Sequence, residues 1–211
     1  MKITKYGQSA ILIEDYKKKR ILIDPGSFCF EQITPEEFGK IDILLITHKH
    51  SDHFIPDKIK IIIQNNPGII VLSNQEVKEI LDEAELIFPS ETKTIDDIKI
   101  KCISQVHGDL PNGMKKPIDI GFLIDNKLYH PGDSIYMEEK PHAEILFLPF
   151  CGKVVMDIPD AIKFAREVDA KLIIPIHYDN PAYPADPNNL VSQGKGLNIK
   201  ILKNKESLVT E

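Results

Sequence analysis

The sequence predicts a layered α/β or α+β domain, and three observations lead there. Short aliphatic runs rich in β-branched residues recur along the 211 residues, helical signals fall between the later ones, and no linker, low-complexity tract or repeat interrupts them. The runs Ile11-Leu12-Ile13, Ile21-Leu22-Ile23, Ile43-Leu44-Leu45-Ile46, Ile69-Ile70-Val71-Leu72, Ile145-Leu146-Phe147-Leu148 and Leu172-Ile173-Ile174 are bounded by Gly, Pro, Asp or Asn and read as strands. They do not alternate polar with apolar residues, so both faces are expected to be covered. Ile98 to Val106 and Gly121 to Tyr129 alternate better, and Asp125-Asn126 suits a hairpin turn within the second. Helices are expected within Pro56 to Asn65, over Gln75 to Ala84 (Val77, Ile80 and Leu81 at helical spacing), and over Asp160 to Val168. The last carries the stripe Ala161, Phe164, Ala165 and Val168, with Asp157 as N-cap and Pro159 in the first turn. Residues 1–211 are read as one domain.

Composition narrows the function classes. Hydrophobic residues at 42% and charged residues at 27% describe a globular chain. Lys plus Arg is 26 against 32 for Asp plus Glu, a formal net charge of -6, so no global field attracts nucleic acid or an anionic membrane. No apolar run approaches the roughly 18 residues of a membrane span, and Met1-Lys2-Ile3-Thr4 opens no signal-peptide core. Cys29, Cys102 and Cys151 are an odd, widely spaced set of buried or semi-buried thiols rather than a disulfide framework. The expectation is a cytoplasmic protein with a small-molecule substrate and neither nucleic acid nor membrane as partner. Its oligomeric state is open, a homo-oligomer included.

Chemistry concentrates in Thr47-His48-Lys49-His50-Ser51-Asp52-His53, directly after an aliphatic strand. A solvated loop or a helix start explains one such histidine. Three imidazoles and a carboxylate within six positions, from seven histidines in the chain, point instead to a divalent cation. Protonated imidazoles this close would repel, whereas a cation requires them neutral. His48 and His50, two apart in extended chain, face one side and suit one ion; Asp52 and His53, past a turn, suit a second. Further ligands are expected at strand exits, where open α/β architectures gather their sites: His107, Asp133 and His177.

The string His-x-His-x-Asp-His after a strand, followed in order by His107, Gly132-Asp133 and His177, resembles the metallo-β-lactamase superfamily, from Lys2 to Ile201. Tyr6 to Ile13 and Ile21 to Gly26 look like its first hairpin and early aspartate motif. His130-Pro131-Gly132-Asp133-Ser134 and Pro175-Ile176-His177-Tyr178 look most like the branch of small hydrolases that contains L-ascorbate-6-phosphate lactonase. N-acyl phosphatidylethanolamine phospholipase D is a more distant likeness. The resemblance implies an α+β fold, an αββα four-layer sandwich, with His48, His50 and His107 on a first metal, Asp52, His53 and His177 on a second, and Asp133 bridging. Gln8 stands where the branch usually has His. Asp133 stands where the best-known β-lactamases often have Cys, which argues against antibiotic hydrolysis. The large insertions of RNA-processing relatives are missing.

A dinuclear centre of this kind implies a metal-bridging hydroxide, because metal binding lowers the pKa of water from about 15.7 toward roughly 7. Asp52 is the catalytic candidate, orienting that nucleophile and passing on its proton. The expected activity is hydrolysis of a small lactone, ester or amide with two divalent ions, zinc first and manganese or iron also accepted by such ligands. A small phosphodiester answers to the same chemistry. An iron-dependent, sulfur dioxygenase-like redox enzyme is the different-class alternative, disfavoured by two full ligand sets, and a non-catalytic metal-binding module needs no open coordination position. Around the ligands, Asp24 reads equally as a partner of a ligating imidazole or as a turn residue. His130 is expected to support the Asp133 loop, and Tyr178 either reaches a substrate oxygen or packs. Gly108 to Lys116, with Pro111, Asn112 and the pair Lys115-Lys116, reads as a loop that either clasps an anionic substrate or is simply solvated.

Overall fold

The computed structural model describes residues 1–110, 113–136 and 138–210. They form two compact units, one of Met1–Leu86 with the chain from Leu202 onward, the other of Ile87–Ile201. Among the described residues no helix is long and apolar enough to cross a membrane.

The first unit is built on a mixed sheet. Strands β1 (Lys2–Lys5), β2 (Ile11–Glu14), β3 (Arg20–Ile23), β4 (Ile43–Leu45), β5 (Ile70–Ser73), β6 (Glu85–Leu86) and β15 (Ser207–Val209) lie in the order β15-β1-β2-β3-β4-β5-β6. Pairing is antiparallel from β15 to β3 and parallel from β3 to β6. The parallel half needs crossovers: a one-turn α1 (Ser27–Phe30) lies between β3 and β4, and α2 (Pro56–Asn65) supplies the one between β4 and β5. Its Ile59 and Ile62 pack with Leu12, Leu22, Leu44 and Phe38 on one sheet face. The alternate residues Ile11, Ile13, Ile21, Ile23, Ile43 and Leu45 are buried as well, which is why these strands read as unbroken apolar runs.

The second unit has its own mixed sheet. Strands β7 (Thr92–Ile95), β8 (Ile98–Ser104), β10 (Ile120–Ile124), β11 (Leu128–His130), β13 (Ile145–Pro149) and β14 (Leu172–Ile176) lie in the order β14-β13-β11-β10-β8-β7. The β10–β11 hairpin, with Ile124 opposite Leu128, turns through Asp125 and Asn126, both left-handed at φ 51° and 53°, and Lys127, whose amide donates back to Ile124 O. Between β13 and β14 runs α4 (Ile158–Val168), capped by Asp157 accepting from the Asp160 amide, with the expected stripe buried. A short α5 (Pro187–Gln193) follows β14.

Two expectations need correction. Gln75 to Ala84 is not one helix: α3 stops at Gln75–Lys78. Tight bonds from Ile80 N–H to Val77 O and from Ala84 N–H to Leu81 O bend the chain, burying Leu81 and Ala84 while leaving Ile80 46% exposed. The run Ile98 to Val106 also divides, since β9 (Val106–His107) leaves the sheet to pair with β12 (Ser134–Tyr136) in a two-stranded ribbon, Ser134 opposite His107.

Asp42 fixes the entry of the strand that leads to the histidine motif. Its carboxylate accepts from the Arg20 amide at 2.9 Å, its own amide donates to Arg20 O, and Lys40 lies 3.1 Å away. Burial raises the Asp42 pKa, but the Arg20 amide and the Lys40 and Lys19 ammonium groups outweigh it, and the carboxyl sits below its ordinary value. A lowered native pKa contributes stability above the unfolded value, near 3.9, and loses it as pH falls through the native one. Asp42→Asn is therefore expected to cost about 1 kcal/mol at neutral pH, with the gap to the parent protein closing below about pH 4 in urea titrations across pH.

Candidate metal centre

In the first unit the polar residues gather at the C-terminal ends of parallel β3 and β4. Asp24 follows β3, donates its amide to Leu45 O, and turns its buried carboxylate onto the motif. Oδ1 accepts from the Thr47 amide at 2.8 Å; Oδ2 accepts from the Thr47 hydroxyl at 2.7 Å and lies 2.8 Å from His53 Nδ1. Because that hydroxyl donates to Asp24, it accepts from His48 Nδ1, 3.0 Å away. Both rings thus carry their proton on Nδ1 and present an Nε2 lone pair. His48 Nε2 faces His50 Nδ1 at 3.1 Å, and His53 Nε2 faces Asp52 Oδ2 at 3.8 Å. Gln8, fully buried, donates from Nε2 to Asp52 Oδ2 at 3.2 Å.

Gly26 makes the turn after Asp24 compatible with the motif. A Cβ there would stand 2.0 Å from the Asp52 carbonyl, and the neighbouring Ser27 amide donates to Ser51 O at 2.8 Å. The Asp52–His53 turn rests directly on the Gly26 backbone.

The second unit supplies Asp133 with two imidazoles. His177 Nε2 lies 3.0 Å and His107 Nε2 3.7 Å from Asp133 Oδ2, and all three side chains are buried. His107 Nδ1 donates to Gly108 O at 2.8 Å, which again leaves the lone pair on Nε2. The Asp133 amide donates to Asp119 Oδ2, and Gly132 N–H donates to His130 Nδ1, so both hold the loop that carries Asp133. Cys151 lies against His177. Burial raises its thiol, but hydrogen bonds with the His177 ring and with backbone at Val155 and Val154 outweigh this, and its pKa is lowered.

These donor sets fit divalent cations. Imidazole lone pairs and carboxylate oxygens, both electron-rich, face one another at 3.7–3.8 Å in buried surroundings, an arrangement a cation reconciles and an empty apolar interior does not. All seven sequence-predicted ligands, His48, His50, Asp52, His53, His107, Asp133 and His177, fall within candidate metal-holding sets. Backbone strain marks the same places: Gln8, Asp24 and His177 are left-handed at φ 61°, 48° and 64°, conformations that cost non-glycine residues about 1 kcal/mol or more.

Of the outer residues, Asp24 takes the imidazole-partner role and His130 supports the Asp133 loop. The Tyr178 ring packs 5.9 Å from Phe150. Lys116 pairs with Asp109 at 2.7 Å, Lys115 is exposed, and Pro111 and Asn112 of that loop lie outside the described residues. Sequence reasoning missed Gln8, Thr47, Asp119 and Cys151 as partners of the candidate ligand residues. Only Thr47, a hydroxyl residue at a strand exit beside a histidine, left a local signal.

Comparison with known proteins agrees with this chemistry. The family model of the β-lactamase superfamily domain matches residues 2–177. A UPF0173 metal-dependent hydrolase of Nanoarchaeum equitans is 31% identical over 99% of each chain. One of Thermoplasma acidophilum is 32% identical over 77% of each. The solved structure of a metallo hydrolase from the hyperthermophilic archaeon Ignicoccus hospitalis shares the fold, with a TM-score of 0.80 over 100% of this chain and 98% of that one at 23% identity. The fold is therefore the α+β fold of metallo-β-lactamases. The chain belongs to the metallo-β-lactamase superfamily, among its metal-dependent hydrolases.

Gly26→Ala tests the contact beneath the motif. Its methyl group has backbone rather than a flexible side chain to displace, so a loss of about 1–3 kcal/mol is expected in denaturant melts, with amide shifts at Asp52 and His53 in NMR spectra. Unchanged stability and spectra would remove the close approach from the account.

Proposed function

We propose that residues 1–211 act as one domain, a dinuclear metal-dependent hydrolase of a small lactone, ester or amide. His48, His50 and His107 take one divalent ion, Asp52, His53 and His177 the other, and Asp133 both. The observation that carries this reading is the proton placement. Hydrogen bonds at Nδ1 of His48, His53 and His107 leave three Nε2 lone pairs, which face His50 Nδ1, Asp52 Oδ2 and Asp133 Oδ2. The family model, which runs from residue 2 to 177 and so takes in all seven ligands, supports it. So do the metal-dependent hydrolases at 31% and 32% identity.

When bound, such ions, zinc in this reading, supply an activated water and polarise the substrate carbonyl. The chain does the remaining work. Gln8 fixes the Asp52 carboxylate, and Asp52 takes the proton of the attacking water and hands it to the leaving group. Asp24 holds His53, and through Thr47 also His48, in the tautomer that ligates. His130 acts through the Asp133 loop, and Tyr178 lines the wall on which substrate rests.

Zinc-loaded protein is expected to turn over lactone, ester or amide probes ahead of phosphodiesters. Asp52→Ala is expected to lower turnover at least about 10³-fold under saturating metal while the chain stays folded by circular dichroism; near-normal turnover would rule out the assignment. Asp24→Asn removes the acceptor that sets the His53 tautomer, and chelator competition is expected to show metal affinity reduced about 10–100-fold.

A further inference from the structure

The backbone ladder between β4 and β5 ends just before the histidine motif. The two strands pair in parallel as far as Leu45 opposite Leu72, and the Ile46 amide still donates to Leu72 O at 3.1 Å. Past that point β5 runs into the single-turn helix α3, and side chains take over as donors. Ser73 Oγ donates to Ile46 O at 2.7 Å and Asn74 Nδ2 donates to Thr47 O at 2.9 Å, with all four residues buried. A buried carbonyl without a donor is costly, so these two side chains continue what the backbone no longer supplies.

Asn74 does this while serving as the N-cap of α3. Its Oδ1 accepts from the Val77 amide at 3.2 Å, from extended backbone at φ -85°. The cap needs an acceptor and the Thr47 carbonyl needs a donor, so one orientation of the carboxamide satisfies both. Asp and Ser cap helices equally well, but Asp has no donor for the second bond and Ser is too short to make it. Helix α3 holds the motif at a second point, where Lys49 Nζ lies 2.8 Å from Glu76 Oε1, so the two ties flank His48. That ion pair is partly exposed and adds little by itself. The buried carboxamide is the stronger tie.

We propose that Asn74 is a positioning residue of the candidate metal centre. By holding the Thr47 peptide it places the Thr47 hydroxyl between Asp24 and His48, so that the hydroxyl donates to Asp24 Oδ2 and accepts from His48 Nδ1. Asn74 acts through Thr47 and not on a reacting atom. The assignment rests on the metal-dependent hydrolase reading and adds to it the residue that secures the His48 tautomer.

The test separates holding from capping. Asn74→Asp and Asn74→Ser each keep a competent cap and lose the donor to Thr47 O. In both metal-free variants the Val77 amide is expected to remain protected from hydrogen exchange. The His48 ring nitrogens are expected to show, by NMR, a proton shared between Nδ1 and Nε2 in place of the single Nδ1–H form of the parent protein. Chelator competition is expected to give a zinc affinity about 10-fold lower for both variants. Parent affinity together with a single Nδ1–H tautomer in either variant would overturn the assignment and leave Asn74 a helix cap alone. The parent protein gives a check that needs no variant: scalar coupling is expected across the hydrogen bond from the Asn74 side-chain amide to the Thr47 carbonyl, and its absence would equally overturn the assignment. Failure of the hydrolase reading looks different: the tautomers change as expected, yet the parent protein itself binds no zinc.

Discussion

Everything at the candidate metal centre of the first unit hangs on one carboxylate. Asp24 is fully buried, and a buried charge is tolerable only when its oxygens are satisfied. Its partners are the Thr47 amide, the Thr47 hydroxyl and His53 Nδ1, all within 2.8 Å. Hydrogen bonds to a charged group contribute about 1.5–3 kcal/mol each, enough to offset the left-handed backbone that Asp24 adopts. The consequence is directional. One acceptor fixes a hydroxyl proton, the hydroxyl fixes a neighbouring imidazole, and two rings are left with the same nitrogen facing outward.

The second unit reaches the same outcome by other means. Its His107 is fixed by a backbone carbonyl rather than a carboxylate, and it stands on a two-residue strand outside the main sheet. Asp133 rides a turn held at Asp119 and His130, and His177 sits in a left-handed conformation just past β14. In both units the candidate ligands occupy strand exits, while the buried apolar runs before them give those exits a rigid base.

Much of this was legible in the sequence because its signals are local. Six residues hold four of the candidate ligands, and the aliphatic runs mark the strand ends where His107, Asp133 and His177 lie. Asp157-x-Pro159 announced α4 for the same reason. What escaped depends on partners far along the chain: Gln8 earns its role from Asp52, and Cys151 from His177. The helix expected to Ala84 failed because its spacing fits a helix and a succession of tight turns equally well. Helix α5 was invisible since Leu190 is its lone buried residue and leaves no periodicity to read.

Zinc-edge anomalous diffraction from crystals of the metal-loaded protein tests the central claim most directly. Two strong peaks are predicted, about 3.5–4 Å apart, one beside His48 and His50 and the other beside Asp52 and His53. A single peak, or peaks that leave those side chains unligated, would contradict the account.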